Sequence, residues 1–332
     1  MAQEGRSNGT PLLRVENLRT YFTVPDGIVK AVNGVSFTVA QGEVLGLVGE
    51  SGSGKSMTCR SIIRLVPPPG RIVGGHIYYR GEDILEWPDE KLSQFRGREV
   101  SLILQEPMTA LNPVLTIGEQ IVETIREHED ISRSAAREKA VSLLRMVGIP
   151  EPARRLEDYP HQFSGGMRQR AMIAIALACS PKVLLADEPT TALDVTIQDQ
   201  IIRLVQELQE QFGMSVIWVT HDLGVVAQLC HRVAVMYGGM IMELADVITL
   251  FENSRHPYTL GLMESIPKGT AREVRLVPIP GQPPNLLNLP EGCPFAPRCR
   301  FAADECSNGN VALQEVSPNH YSACIRSREI WG

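Results

Sequence analysis

The octapeptide Gly49-Glu50-Ser51-Gly52-Ser53-Gly54-Lys55-Ser56 matches the pattern G-x-x-x-x-G-K-[ST]. It lies between an apolar run, residues 44–48, that predicts a buried strand, and a helical pattern over residues 57–65, as a phosphate-binding loop requires. In such a loop the glycines let backbone N–H groups point inward, the lysine reaches the outer phosphates, and the Ser56 hydroxyl is a ligand of Mg²⁺. The alternative is a glycine-rich turn with a solvated lysine, and the matching flanks disfavour it. We therefore predict a site for nucleotide phosphates in a strand–loop–helix unit.

A second strand-like run, residues 183–186, ends in the acidic pair Asp187-Glu188. Taken alone, this pattern could be a strand that meets solvent. In a chain that also has a phosphate-binding loop, Asp187 at the carboxyl end of the strand is expected to hold Mg²⁺. Glu188, one residue further on, points elsewhere and is expected to polarise an attacking water.

Strand and helix patterns alternate along the chain. Residues 12–24 and 34–39 alternate apolar with polar residues, which predicts half-exposed antiparallel strands. Further buried strands are predicted at 183–186, 215–219 and 233–236, and helices at 135–146, 168–178 and 196–211. The pattern predicts an α/β fold. From Phe251 onward prolines and glycines multiply, so we expect a boundary near residue 255 and a small, loop-rich tail.

Length and composition exclude several classes of protein. A chain of 332 residues predicts two domains, or one large domain with an appendage. The chain is 43% hydrophobic and 21% charged, a balance that disfavours disorder, and its net charge of -6 argues against binding to nucleic-acid phosphates. The longest uncharged stretch, 276–290, contains five prolines and is too short to span a bilayer. The polar start lacks the apolar core of a secretory signal, so we expect a cytoplasmic protein.

Four of the seven cysteines, Cys293, Cys299, Cys306 and Cys324, lie in the last 40 residues. In a reducing compartment such a group favours a metal site over disulfides. The spacing C-x5-C-x6-C-x17-C has no C-x-x-C knuckle and matches neither common ferredoxin run, so it does not choose between zinc and an iron–sulfur cluster. Four unlinked thiols are the alternative. The other three, Cys59, Cys179 and Cys230, are expected to be small buried hydrophobes.

Four further segments occur in a defined order along the chain. Phe163-Ser164-Gly165-Gly166-Met167 precedes a helical pattern, and its serine and two glycines could form a second cradle for an anion. Gln105 and His221 each follow a strand-like run, and Ala192-Leu193-Asp194 follows the acidic pair. Each segment alone is weak evidence. Their order and spacing resemble the ATP-binding-cassette (ABC) ATPase family over residues 12–250.

Other residues resemble one branch of that family. Gln105-Glu106-Pro107-Met108-Thr109-Ala110-Leu111-Asn112-Pro113 and Met167 are similar to segments of the ATP-binding subunits of dipeptide and oligopeptide importers, including the nickel and opine branches. His256-Pro257-Tyr258-Thr259 and the cysteine tail look like the C-terminal extension of those subunits. Phe163 and Met167 depart from the Leu and Gln of the common signature, but both glycines are kept.

The resemblance implies that two cassettes pack head to tail and enclose ATP between the phosphate loop of one and the signature loop of the other. Glu188 would be the general base or water-orienting carboxylate, and His221 would hold the γ-phosphate and water in line. Lys55 and Mg²⁺ would neutralise the developing charge. Phe22, or its neighbour Tyr21, would stack on adenine. The residues implied to contact the nucleotide or its Mg²⁺ are Phe22, the loop 49–56, Met57, Gln105, Ser164, Gly165, Gly166, Asp187 and Asp194, with Ser56, Gln105 and Asp187 around the metal.

The resemblance also implies an architecture and partners. An ABC ATPase domain, 12–255, would combine a mixed sheet, an antiparallel β subdomain and a helical insert at about 108–163, where a permease helix docks. A C-terminal extension, 256–332, would follow, with its four cysteines on a [4Fe–4S] cluster rather than zinc. Implied partners are a second ABC ATPase subunit, two membrane permease subunits and an extracytoplasmic substrate-binding protein. A paralogue is favoured over a copy of this chain as the second ATPase subunit, and both stay open. The chain would lie on the cytoplasmic face of the inner membrane.

Several questions stay open at the level of the sequence. Soluble ABC ATPases of DNA repair or translation use the same sandwich, although they usually carry two cassettes or a long coiled coil, and the acidic balance opposes them. A regulatory module with a dead nucleotide site is opposed by Glu188 and His221. The cargo is undetermined: peptide leads, ahead of nickel, opine or a glycosylated peptide, and the cluster could be structural or redox-sensing.

Overall fold

The computed structural model describes residues 10–191, 193–265, 278–308 and 311–331. Within them the strands are β1 Leu13–Val24, β2 Gly27–Val39, β3 Val44–Val48, β4 Gly70–Tyr79, β5 Glu82–Asp83, β6 Val100–Ile103, β7 Val183–Asp187, β8 Ser215–Thr220, β9 Arg232–Tyr237, β10 Met240–Asp246, β11 Gln314–Ser317 and β12 His320–Ser322. The α-helices are α1 Lys55–Ile62, α2 Asp89–Arg98, α3 Pro107–Ala110, α4 Ile117–His128, α5 Arg133–Met146, α6 Pro152–Arg155, α7 Gly165–Ala176, α8 Val195–Phe212, α9 Leu223–Leu229, α10 Val247–Glu252, α11 Pro257–Glu264, α12 Glu305–Asn308 and α13 Ser327–Trp331.

The chain divides into two compact units. Of the described residues, those within 1–43, 49–87 and 232–332 form the first unit, and those within 44–48 and 88–231 form the second. The chain crosses from the second unit to the first between Val48 and Gly49, where the strand β3 passes into the phosphate-binding octapeptide.

The second unit is built on parallel strands in the order β3-β8-β7-β6. Every residue of β3, β7 and β8 is buried, which explains their continuous apolar runs. Helices α3 to α6 occupy the segment predicted as a helical insert. Its helix α4 begins with a capping box in which Thr116 and Glu119 satisfy each other's backbone N–H groups.

The strand pairs within the first unit are antiparallel. In one sheet β1 pairs with β2 and β4, and β4 pairs with β5. Strand β10 pairs with β9 and β12, and β11 pairs with β12. Alternating buried and exposed residues along β1 and β2 agree with the predicted half-exposed strands. The α/β class with an antiparallel subdomain is confirmed.

The structure also contains strands that the sequence patterns did not predict. β4 was missed because Gly74-Gly75 interrupts it. Gly75 lies at φ +87°, and a Cβ there would come within 2.4 Å of the Asn17 carbonyl oxygen. β11 and β12 were missed in the tail predicted as loop, because the buried residues of β12 are polar. Its His320 is fully buried against Glu243 of β10, with Nε2 and Oε1 2.7 Å apart.

Candidate functional site

The phosphate-binding octapeptide has the backbone that its glycines predict. A Cβ at Gly49 would lie 2.1 Å from the Met236 carbonyl oxygen, and one at Gly54 would lie 2.3 Å from the Ala31 carbonyl oxygen. Gly54 adopts φ +100° and is the N-cap of α1, which has no capping side chain. A helix that begins this way presents backbone N–H groups to an anion.

Lys55 is buried and folds back over the loop. Its Nζ donates to the carbonyl oxygens of Gly49 at 2.8 Å and of Glu50 at 2.9 Å. The ammonium is therefore held above the octapeptide by the loop's own carbonyls, with Ser53 also buried beside it. Ser56 and Met57 are half-buried in the first turn of α1.

The second unit aligns the carboxyl ends of three parallel strands. Val48 is opposite Thr220, and Asp187 is opposite Val219. The carboxyl ends of β3, β7 and β8 therefore lie at one edge of the sheet. These three strand ends lead into the phosphate loop, the acidic pair and His221. In open α/β sheets this edge is where ligands bind. Asp187 is buried at the end of β7.

Glu188 turns away from the strand in a left-handed conformation, with φ +45°. Such a backbone is uncommon for a residue with a Cβ and is typical of functional sites. The left-handed conformation turns the chain directly after the end of β7.

Three side chains converge on the Oε2 atom of Glu188. The Gln105 amide donates to it at 3.2 Å, the Thr191 hydroxyl donates at 2.8 Å, and His221 Nδ1 lies 3.4 Å away. The Glu188 side chain is 12% exposed, whereas His221 is 57% exposed. The carboxylate is thus oriented and partly shielded, and the histidine next to it is open to solvent.

Thr191 is a site residue that sequence reasoning missed. A threonine three residues after a glutamate carries no motif of its own, and the contact depends on the turn that Glu188 makes. The Thr191 N–H donates a hydrogen bond to the Glu188 carbonyl oxygen at 3.3 Å, which closes that turn.

The predicted signature loop begins helix α7. Ser164 is the N-cap, and its hydroxyl accepts a hydrogen bond from the Met167 N–H at 3.3 Å. Ser164 and Gly165 are exposed, and Phe163 is buried. A Cβ at Gly166 would lie 3.0 Å from Ile197 of α8, so the glycine permits close packing of the two helix starts.

Asp194 caps the helix that packs on the signature loop. It is exposed, and its carboxylate accepts from the Ile197 N–H at 3.0 Å. Of the predicted segment Ala192-Leu193-Asp194, Ala192 lies outside the described residues.

The predicted adenine aromatic lies on β1. Phe22 is half-buried, and its ring faces Gly70, where a Cβ would come within 2.5 Å of it. The hydroxyl of neighbouring Tyr21 donates instead to Asn33 at 2.7 Å. Of the two aromatics, Tyr21 is engaged in a polar contact within its own sheet.

The four tail cysteines line a single pocket, which we call the cysteine pocket. Its other walls are apolar and aromatic and include Phe295, Phe301 and Val311. Burial raises the pKa of Cys293 to about 11 and that of Cys324 to about 12, and it also raises the pKa of Cys299. The Cys299 sulfur accepts the Phe301 N–H at 3.4 Å.

The donor set of the cysteine pocket suits a thiophilic metal group, because soft sulfur ligands in an apolar surround favour zinc or iron–sulfur clusters. Among the residues described in the structure, however, no group of three or more Cys, His, Asp or Glu side chains is arranged to hold a metal ion. The arrangement does not by itself support the predicted cluster or zinc site.

Comparison with known proteins identifies the family. Residues 32–191 match the model of the ABC transporter family, and residues 242–306 match that of the oligopeptide/dipeptide transporter C-terminal region. The chain belongs to the ABC transporter family and is an ATPase of the oligopeptide/dipeptide branch. No helix in the described part of the chain is both long and apolar enough to cross a membrane.

Individual relatives agree with this identification. The chain is 49% identical over 332 residues to a probable peptide ABC transporter ATP-binding protein of Sinorhizobium fredii, covering 99% of both chains. It is 48% identical over 318 residues to the oligopeptide transport ATP-binding protein OppD of Salmonella typhimurium, covering 96% of this chain and 94% of that one. A solved structure of the ATP-binding cassette MJ0796, dimeric and bound to ADP and Pi, has a TM-score of 0.64 at 28% identity, covering 71% of this chain and 98% of that one.

Proposed function

We propose that this chain is the ATP-hydrolysing subunit that energises an ABC importer for peptides, working through ATP-driven closure of a pair of cassettes. The observation that carries the proposal is the convergence of Gln105, Thr191 and His221 on one oxygen of Glu188. That arrangement orients a carboxylate as hydrolysis of a phosphoanhydride requires. Peptide cargo is supported by the names of the relatives, both of which are peptide or oligopeptide transporters.

Each site residue has a role in this proposal. Lys55 and the backbone of the octapeptide bind the outer phosphates, and Phe22 stacks on adenine. Ser56, Gln105 and Asp187 would hold Mg²⁺, which would supply charge neutralisation at the phosphates. Glu188 takes a proton from, or orients, the attacking water, and His221 holds water and γ-phosphate in line.

The partner cassette completes the site. Ser164, Gly165, Gly166 and Asp194 of each chain contact the nucleotide held by the other. Their exposure supports this role for Ser164, Gly165 and Asp194, because side chains and backbone that serve a partner must be accessible in a single chain. The dimeric cassette with 28% identity supports the same arrangement. A paralogue as partner, rather than a second copy, is part of the proposal.

Membrane permeases are the second class of partner. Met108, Val114 and Tyr159 of the helical insert are large apolar side chains that are 65%, 75% and 39% exposed. Exposed apolar groups on one insert suit a docking helix of a permease. Two permease subunits would hold the chain on the cytoplasmic face of the inner membrane, and an extracytoplasmic binding protein would deliver the peptide. The domain division at residue 255 belongs to the same proposal.

The cysteine pocket is proposed to hold a [4Fe–4S] cluster through Cys293, Cys299, Cys306 and Cys324. The four cysteines line one pocket, which supports this choice of ligands, and a single zinc ion on the same residues is the alternative.

Co-purification tests the proposal. A tagged chain in its native host should recover two membrane subunits and a second cassette. Met108→Asp should abolish recovery of the membrane subunits while ATP binding persists. The matched control is Ile248→Asp, at another residue that is 65% exposed. Recovery of nucleic acid, or of no membrane subunit by the parent chain, would contradict the proposal.

A further inference from the structure

Glu50 places a carboxylate inside the loop that cradles phosphates. It is the second residue of the octapeptide, and its neighbours supply the backbone groups that face an anion. Adjacent Cα atoms are about 3.8 Å apart, so a free charge on Glu50 would act on bound phosphates within about one Debye length. Like charges at this range oppose binding, so the loop needs a cation to neutralise Glu50.

That cation is Arg298, which is 248 residues away in the sequence. Its Nη1 and Nη2 atoms donate to the two Glu50 carboxylate oxygens at 2.7 and 3.1 Å. The Arg298 side chain is 7% exposed and that of Glu50 is 23% exposed, so solvent screens the pair weakly. The pair is bidentate and charge-assisted, which is the strongest ordinary form of such a contact.

The guanidinium is fixed on its other edges. Its Nε donates to the Pro280 carbonyl at 2.7 Å, and Nη1 also donates to the Tyr237 hydroxyl at 3.1 Å. Arg298 therefore cannot follow Glu50 if the loop moves. It holds the carboxylate in one place.

A second tie joins the extension to the same loop residue. The Glu50 N–H donates to the hydroxyl of Tyr258 at 2.9 Å. Burial raises the pKa of Tyr258, which keeps the hydroxyl neutral and able to accept. Its ring packs against Tyr237 and Phe295 at centroid distances of 4.6 and 5.2 Å, which fixes its position.

Arg298 also belongs to the turn that carries two of the pocket cysteines. The turn is closed by backbone hydrogen bonds from the Ala296 N–H to the Cys293 carbonyl and from the Cys299 N–H to the Ala296 carbonyl, at 3.0 and 3.2 Å. The phosphate loop is thus tied to the cysteine turn through one side chain.

We propose that Arg298 is a positioning residue for ATP binding, which neutralises Glu50 and so makes the affinity of the phosphate loop for Mg-ATP depend on the C-terminal extension. This inference rests on the proposed function, because it takes the octapeptide as the ATP site. It adds to that function a residue outside the cassette motifs.

A double-mutant cycle tests the inference, with the dissociation constant for Mg-ATP measured on the full chain. Arg298→Gln should weaken binding about tenfold, equivalent to about 1.4 kcal/mol, because Glu50 is left unneutralised. Glu50→Gln alone supplies the fourth corner of the cycle. The double variant Glu50→Gln with Arg298→Gln should return to within about threefold of the parent, since the repelling charge is gone.

Arg300→Gln is the matched control. Arg300 lies two residues away in the same segment and makes its own bidentate pair with Glu264, at 2.7 and 2.9 Å. Its replacement should leave the Mg-ATP dissociation constant within about twofold. Thermal unfolding of each variant reports whether the fold is intact, and Arg298→Lys, which keeps the charge, should recover part of the affinity.

Two results would overturn the inference. One is Arg298→Gln binding Mg-ATP as tightly as the parent. The other is a double variant as weak as Arg298→Gln, which would make the role of Arg298 structural rather than electrostatic. A parent chain that does not bind Mg-ATP would instead contradict the proposed function.

Discussion

The phosphate loop and the cysteine pocket are both in the first unit, yet they are built in opposite ways. The loop is eight consecutive residues, and backbone N–H groups supply most of its binding groups, with the side chains of Lys55 and Ser56 beside them. The pocket takes side chains from positions between His256 and Ile330, its four cysteines among them, and joins them only through folding. The phosphate loop favours anionic ligands, whereas the sulfur donors of the cysteine pocket suit a thiophilic metal group.

This difference explains why one site could be assigned from a motif and the other could not. A backbone cradle demands glycine where a Cβ would collide, as at Gly49 and Gly54, so its requirements are written at fixed spacing. A side-chain pocket only demands that four sulfurs converge, and many spacings achieve that. The clustering of the cysteines predicted a metal site, but the choice of an iron–sulfur cluster over zinc depended on a resemblance.

The largest expected effect is a loss of ATP hydrolysis that leaves both the phosphate loop and the cysteine pocket occupied as in the parent chain. Glu188→Gln should lower ATP hydrolysis in the assembled complex by about 10²–10⁴-fold, because the amide cannot accept a proton. ATP binding and the content of the cysteine pocket should not change. Glu207→Gln, an exposed glutamate on α8, is the control. A Glu188→Gln complex that hydrolyses ATP within about threefold of the parent would remove Glu188 from the catalytic role.

The next prediction concerns the cysteine pocket alone. Anaerobically purified parent chain should be brown, with about four iron and about four sulfide per chain. Cys324→Ser should lose most of both, measured by metal analysis and visible absorption. Cys179→Ser, at a half-buried cysteine outside the pocket, should keep them. Colourless parent protein with about one zinc per chain would refute the cluster and support a zinc site. Metal-free protein with four titratable thiols would refute both the cluster and the zinc site.

A smaller effect is expected at the orienting hydroxyl. Thr191→Val should lower turnover by about tenfold, since one hydrogen bond to a charged group is lost and Glu188 is less well oriented. Thr191→Ser keeps the hydroxyl and should restore most of the rate. Equal rates for the valine and serine variants would show that the hydroxyl at 2.8 Å has no part in catalysis.

The smallest effect tests the link between the two compared regions. Tyr258→Phe keeps the ring packing but removes the acceptor of the Glu50 N–H. It should lower the free energy of unfolding by about 0.5–1.5 kcal/mol, as urea denaturation would measure. An unchanged unfolding midpoint would mean that the hydroxyl does not stabilise the loop.

Local patterns predicted the parallel strands, the helix that Ser164 caps and the order of the site segments. They failed where a contact joins distant parts of the chain. Strand β12 buries His320 through a partner on β10, so it shows no apolar alternation. The pairing of Glu50 with Arg298 spans 248 positions, and neither residue has a neighbour in sequence that indicates it. Thr191 acquires its role only from the left-handed turn at Glu188.

ATP turnover in a reconstituted membrane complex tests the central claim most directly. The measurement compares this chain, its partner cassette and both permease subunits in liposomes with and without peptide-loaded binding protein. We predict that peptide-loaded binding protein raises turnover, and that Glu188→Gln removes the rise. Turnover that is the same in the isolated chain at high dilution as in the complex, and indifferent to peptide, would contradict a peptide importer driven by paired cassettes.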